Sequence, residues 1–137
     1  MANAYTKINS GQSNWTDPLN LMLAAYGKAT DDTGWFDLPL INGFENRENL
    51  GITKIRKVGD LVELQLSVTN LTVNTDFLKL PVGFAPKSYI PTIVRGTWGN
   101  VFIIDVKNNG TVTFGGKTTG TFAADDYIGD DIVWFTN

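Results

Sequence analysis

Leu61–Val68 has the sequence LVELQLSV, in which apolar and polar residues alternate from Val62 onward. Such period-two alternation predicts a β-strand with one buried face and one solvent-facing side. Gly59-Asp60 directly before it is a turn signal, and residues 52–58 precede that turn. Residues 52–58 and 61–68 are therefore predicted to form a β-hairpin with a two-residue loop, at the centre of an antiparallel β domain.

Short apolar stretches separated by turn residues continue on both sides of this hairpin. Asn42-Gly43 and residues 108–110 (NNG) are typical of hairpin turns, because Asn and Gly tolerate positive φ. Residues 115–120 are predicted to be a flexible loop, residues 125–131 an acidic turn and residues 132–135 the last strand. About seven or eight short strands with regular turn signals predict an all-β fold, an antiparallel β-sandwich.

A polar linker divides the chain into an N-terminal segment, residues 1–33, and a β-sandwich head domain, residues 34–137. Asp17 and Pro18 form a helix start, so residues 19–26 are predicted to form a short N-terminal α-helix. This helix is apolar around most of its circumference and has to be covered. It packs on its own β domain, on copies of itself, or on a larger assembly into which the chain docks. The candidate residues for the oligomer interface are Leu19, Leu21, Met22 and Leu23.

The chain of 137 residues contains neither histidine nor cysteine, which excludes a Ser-His-Asp triad, a disulfide scaffold and a thiolate metal site. A net charge of −3 argues against nucleic-acid binding. No apolar run is long enough for membrane insertion, and the N-terminus lacks the apolar core of a signal peptide. We therefore expect action in the cytosol, or outside the cell after lysis, without a cofactor.

Motifs for metal binding and catalysis are weak. Residues 116–118 (GKT) lack the earlier glycine and the helix of a phosphate-binding loop, and residues 105–116 lack the glutamate of an EF-hand. The aspartates of residues 125–131 could gather around a calcium ion, although such residues more often form solvated turns, and no metal is predicted. With only three glutamates and no evident carboxylate pair, a non-enzymatic protein is expected.

The aromatic residues offer the best candidates for ligand contact. Trp35 and Trp134 are predicted to pack in the core, because each lies within a strand-like apolar stretch. Trp98 lies between glycines at a predicted strand end, where a ring can pack in the core or in an interface, or stack on a sugar. Tyr127, in the acidic turn, is either a surface residue of that turn or a second ring on which a ligand stacks. The candidate saccharide-binding residues are Arg95, Trp98, Asp105 and Tyr127.

Four motifs follow one another along the chain. They are Trp35-x-x-Leu38 with Asn42-Gly43, Lys57-x-Gly59-Asp60 before the alternating strand, the loop LPVGFAP of residues 80–86, and Ile104 with Gly110-x-Val112. In that order they resemble the C-terminal domains of tail-fibre, baseplate and receptor-binding proteins from phages and prophages of Gram-positive bacteria. The start MANAYTKIN is also similar to the starts of such proteins.

This resemblance implies a homotrimer in the phage tail that binds cell-wall saccharides of the host and contacts other tail or baseplate proteins. It implies location in the virion. The alternative is a purely structural tail or baseplate component, whose loops contact protein and not sugar. An enzyme or an unrelated bacterial binding module also stays open.

Overall fold

The computed structural model describes residues 31–137, which form two antiparallel four-stranded sheets. The predicted all-β, sandwich-like architecture is thus confirmed, whereas the helix predicted at residues 19–26, with its candidate interface residues, lies outside the described residues. The described part of the chain contains no helix that is long and apolar enough to cross a membrane. The strands are β1 Phe36–Asp37, β2 Lys54–Val58, β3 Leu61–Val68, β4 Thr75–Lys79, β5 Ile90–Arg95, β6 Val101–Val106, β7 Thr111–Lys117 and β8 Ile128–Phe135.

The first sheet has the strand order β1-β2-β3-β8, and the second has the order β4-β7-β6-β5. The predicted central hairpin is confirmed, since β2 and β3 pair antiparallel across the two-residue loop. Gly59 in that loop has φ 57°, a value that glycine adopts without steric cost. Val62, Leu64, Leu66 and Val68 face the core as the alternation predicts.

Two strands extend further than predicted. The chain from Gly115 to Lys117 belongs to β7 and not to a loop, because a bulge beside Ile103 keeps it paired. Residues 128–131 are the first half of β8 and not part of an acidic turn, since β8 pairs with all of β3. In both places, pairing with a distant strand outweighs the local turn preference of Gly and Asp.

The core lies between the two sheets and is rich in phenylalanine, with Phe77, Phe102 and Phe114 fully buried. Trp134 is buried as predicted, and its indole nitrogen donates a hydrogen bond of 2.7 Å to the carbonyl oxygen of Phe84. The core prediction for Trp35 is wrong, because 37% of this residue is exposed. It precedes the short strand β1 at the sheet edge, where no further described strand covers it.

The two sheets meet at one corner, where the end of β5 approaches the start of β8. Gly96 forms an isolated antiparallel bridge with Ile128. Next to it, the Thr97 backbone N–H donates to the carbonyl oxygen of Tyr127 at 3.0 Å, and the Tyr127 N–H donates to the Thr97 hydroxyl at 2.7 Å. These bonds fix the corner and the residues around it.

Candidate functional site

An open cleft of about 380 Å³ lies on the outer face of the first sheet, beside this corner. Its floor comes from β2, β3 and β8, one wall comes from the end of β5, and the opposite wall comes from the loop at residues 50–52. The volume is at the lower end of the range for small-molecule sites. Its polar lining residues include Lys54, Gln65, Ser67, Arg95, Asp130 and Asp131.

Three of these side chains form a row across the sheet. Lys54 pairs with Gln65 across the central hairpin, and Gln65 pairs with Asp131 across β3 and β8. Directly opposed residues in a sheet point to the same face. The row therefore presents an ammonium, an amide and a carboxylate side by side on the outer surface.

An ion pair connects the floor of the cleft to its wall. One carboxylate oxygen of Asp130 accepts a hydrogen bond of 2.9 Å from the Arg95 guanidinium, and the other accepts one of 3.0 Å from the Arg95 backbone N–H. Partial burial acts to raise the pKa of Asp130, but the hydrogen bonds from Arg95 and from the Asp131 N–H outweigh it and keep the pKa below its ordinary value. The same hydrogen bond raises the pKa of Arg95.

The loop before β2 forms the opposite wall and is held by Ser67. The Ser67 hydroxyl lies between the carbonyl oxygens of Arg47 and Gly51, at 3.0 and 2.7 Å. The alternation of β3 places Ser67 on the solvent side, and this loop explains why it is nevertheless buried. Leu50, in the 3-10 turn of this loop, packs directly against Gly129, so the wall lies close to the floor.

The structure brings three of the four predicted site residues to the same corner. Arg95 lines the cleft. The ring of Tyr127 packs under the guanidinium of Arg47, whose Cζ lies 3.6 Å from the ring centroid. Trp98 follows Arg95 by three residues and is 95% exposed.

Asp105 lies elsewhere. It pairs with Pro91 and Thr113 in the second sheet, four residues along β6 from the partner of Arg95, which is about 13 Å away. Asp105 instead raises the pKa of the Tyr89 phenol, chiefly through a hydrogen bond. The geometry therefore does not join Asp105 to the other three.

The aspartates of residues 125–131 do not converge. Asp126 is buried, accepts a hydrogen bond from the Ala123 N–H and lies 3.9 Å from the Lys117 ammonium, while Asp130 pairs with Arg95. Within residues 31–137, no group of three or more acidic side chains is placed to hold a metal ion.

Sequence reasoning missed most of the cleft. Lys54 and Gln65 could have been found, because the two-residue loop of the central hairpin sets their register and the alternation turns Gln65 outward. Asp131 and the loop at residues 50–52 could not, because they reach the cleft through contacts between segments far apart in the chain. No local pattern signals such contacts.

The fold and the cleft define the class of the molecule, a small antiparallel β-sandwich with an open polar cleft at a sheet corner. It is similar to the crystal structure of the receptor binding protein gp15 of Listeria phage PSA, with a TM-score of 0.61. The two chains share 17% sequence identity, over 96% of this chain and 81% of that one. At this identity the likeness shows a shared fold, that of a phage receptor-binding protein. No protein-family model and no curated protein matches the chain.

Proposed function

We propose that the chain is a phage tail receptor-binding protein that binds saccharides on the surface of its host and does not cleave them. The observation that carries this proposal is the open polar cleft on a fold shared with a phage receptor-binding protein. We further propose that it acts as a homotrimer in the virion tail, in contact with other tail or baseplate proteins.

The chemistry of the cleft suits a sugar. Gln65 supplies both a donor and an acceptor, Lys54 supplies donors and Asp131 supplies acceptors, which matches the alternating donor and acceptor character of neighbouring hydroxyls. Leu50 and Ile52 add apolar surface at the rim for the C–H face of a sugar ring. The positive and negative side chains balance, which favours an uncharged sugar unit.

The acidic groups of the cleft favour binding over hydrolysis. Asp130 and Asp131 are the carboxylates that the described residues contribute to this cleft, and they are neighbours on one strand. Their side chains therefore point to opposite faces and do not oppose each other across a substrate. A glycosidase acid needs a raised pKa, whereas the pairing with Arg95 lowers that of Asp130.

One observation favours the second candidate function, a structural tail component. On the outer face of the second sheet, Ile93 and Ile103 pair across β5 and β6 with 63% and 38% of each residue exposed. Exposed apolar pairs of this kind occur in protein contacts. This face accounts equally well for a subunit contact in an adhesion protein, so it does not favour one function over the other, and the polar cleft supports the binding function.

The test is retention of the purified protein on cell walls of Gram-positive bacteria and on a glycan array. We expect saturable retention by at least one wall, and an affinity about tenfold lower for Gln65→Ala and for Asp131→Asn, which each remove a polar group from the cleft. Lys79→Ala, on the outer face of the second sheet, is the matched control and should bind like the wild type. Folded wild-type protein that binds no wall and no glycan would leave the structural component as the better proposal.

A further inference from the structure

Trp98 combines two unusual features. The residue is 95% exposed, the highest value for an aromatic residue among those the structure describes. Its backbone has φ 50° and ψ 36°, a left-handed conformation that a bulky side chain rarely adopts. Such conformations persist where the surrounding structure imposes them, and they are frequent at functional sites.

The surrounding loop holds Trp98 outward. The Gly96 N–H donates to the Asn100 carbonyl oxygen at 2.9 Å, and the Asn100 N–H donates to the Thr97 carbonyl oxygen at 2.8 Å. Thr97 is itself buried and bonded to Tyr127 at the sheet corner. The backbone of Trp98 is therefore held in place by these hydrogen bonds, in a conformation that exposes the ring.

The residues next to Trp98 in the chain add no large apolar side chain. They are Gly96, Thr97, Gly99 and Asn100. A large exposed ring beside glycine and small polar residues suits stacking on the C–H face of one sugar unit.

Trp98 is also continuous with the cleft. Arg95 lines the cleft and lies three residues before Trp98, so their Cα atoms are at most about 11 Å apart. Trp98 is not among the residues that line the cleft, so a sugar unit held by the Gln65 row leaves the ring for another unit. A chain of linked sugars that leaves the cleft beside Arg95 reaches the ring at the corner between β5 and β8.

We propose that the cleft and Trp98 bind successive units of one oligosaccharide, so that the receptor is an extended glycan and not a terminal single sugar. This inference rests on the proposed saccharide binding. The unit in the cleft presents hydroxyl groups to Lys54, Gln65 and Asp131, and the unit over Trp98 presents an uninterrupted C–H face.

The experiment measures affinity against the length of the glycan. The cell-wall polysaccharide that retains the wild-type protein is cleaved by mild acid and sized into fragments from a single unit to a tetramer. Calorimetric titrations compare wild type with Trp98→Asn, which tolerates the left-handed backbone but lacks the large ring, and with Trp98→Phe, which keeps an aromatic ring. Tyr89→Asn is the matched control, because Tyr89 is an exposed aromatic residue directly before β5, at the end of that strand away from Trp98.

We expect wild-type affinity to rise by about tenfold between the single unit and the longer fragments. Trp98→Asn should lose that gain while it binds the single unit normally, Trp98→Phe should keep part of it, and the control should match the wild type. Equal length dependence in Trp98→Asn and wild type overturns the inference and leaves the cleft as the whole site. A changed oligomeric mass of Trp98→Asn, with every fragment weakened equally, also overturns it and makes Trp98 a subunit contact.

A wild type that binds no fragment of any length contradicts the proposed function itself, and this inference falls with it. A wild type that binds single units and longer fragments equally well contradicts only the inference. The two failures are therefore distinguishable in the same set of titrations.

Discussion

Asp130 on β8 accepts hydrogen bonds from both the backbone nitrogen and the guanidinium of Arg95 on β5, at 3.0 and 2.9 Å. These two strands belong to different sheets, so the pair ties the sheets together at the corner that bounds the cleft. Asp130 is largely shielded, with 12% of its side chain exposed, whereas 76% of the Arg95 side chain is exposed. The carboxylate is thus fixed, and the outer part of the guanidinium faces solvent.

Asp130→Asn should weaken both the fold and the cleft. Removal of the charge leaves weaker hydrogen bonds to Arg95, and we expect the free energy of unfolding to fall by about 1 kcal/mol in urea titrations. Sugar affinity should also fall, because the cleft wall is no longer held. Asp32→Asn weakens a second arginine pair of the described residues, that of Asp32 with Arg56 at 2.6 Å, which lies outside the cleft. It should leave sugar affinity unchanged, and an equal loss of affinity in both variants would contradict the role of the corner.

The same pair predicts how stability depends on pH. Because the pKa of Asp130 is lower in the folded chain than its ordinary value of 3.8, its stabilisation is complete above that value. It is lost as the pH falls through the lowered folded pKa. The difference in unfolding free energy between wild type and Asp130→Asn should therefore stay constant near neutral pH and shrink below about pH 4. A difference that grew on acidification would be inconsistent with the lowered pKa.

Gly96 is required by space and not by φ, since its φ of −157° suits any residue. A Cβ atom at this position would lie 1.8 Å from the Tyr127 carbonyl oxygen and 2.6 Å from the Phe102 ring. Gly96→Ala should cost about 3 kcal/mol or more, or prevent folding. Gly115→Ala is the control, because a Cβ atom there would lie 3.3 Å from the Ile103 carbonyl oxygen, a much milder contact. This variant should cost about 1 kcal/mol or less. Thermal unfolding of both variants checks this order.

Trp98→Gly should make the protein more stable. The left-handed backbone costs a non-glycine residue about 1–2 kcal/mol, a cost that glycine avoids. Glycine loses more backbone entropy on folding, which offsets part of this gain in stability. We expect a net rise of about 0.5–1 kcal/mol in the free energy of unfolding, measured in urea. A rise in stability with a loss of binding to long glycans would show that the strained residue is kept for binding. A fall in stability would mean that the ring packs on the protein.

Trp134→Phe should destabilise the core by about 2 kcal/mol, because the carbonyl oxygen of Phe84 loses its donor and the smaller ring leaves a gap. Trp35→Phe changes an exposed ring and should shift the unfolding free energy by less than about 0.5 kcal/mol. Urea unfolding of the two variants, followed by circular dichroism, gives the comparison. Equal effects would contradict the burial difference between the two tryptophans.

The amino-acid sequence predicts the fold well where the signal is local. The alternation of Leu61–Val68 and the turn at Gly59-Asp60 predict the central hairpin with the register that the structure has. Prediction failed for the first half of β8, because Gly129 and Asp130 favour turns locally and become strand residues only through pairing with β3. The exposure of Trp35 was missed for a related reason, since the strand order that places β1 at an edge is not written in any local pattern.

The candidate site was less predictable than the fold. Arg95, Trp98 and Tyr127 were chosen for their chemistry, and the structure places them at one corner, whereas Asp105 lies about 13 Å along β6. The burial of a side chain and the charges next to it depend on which strands are neighbours in the sheet. That strand order is set by contacts between residues far apart in the chain. A single sequence therefore suggested suitable residue types but not the cleft, which brings Lys54 together with Arg95 and with Asp130 of the last strand.

The measurement that tests the central claim most directly is a titration of isotopically labelled protein with the bound cell-wall saccharide, followed by amide chemical shifts. We predict saturable shifts for Lys54, Gln65, Arg95 and Asp131, with smaller shifts at Trp98 for long fragments. The amide of Asp105 should not move. Shifts confined to the outer face of the second sheet, or no shifts at a saturating concentration of saccharide, would contradict the assignment of the cleft as the receptor-binding site.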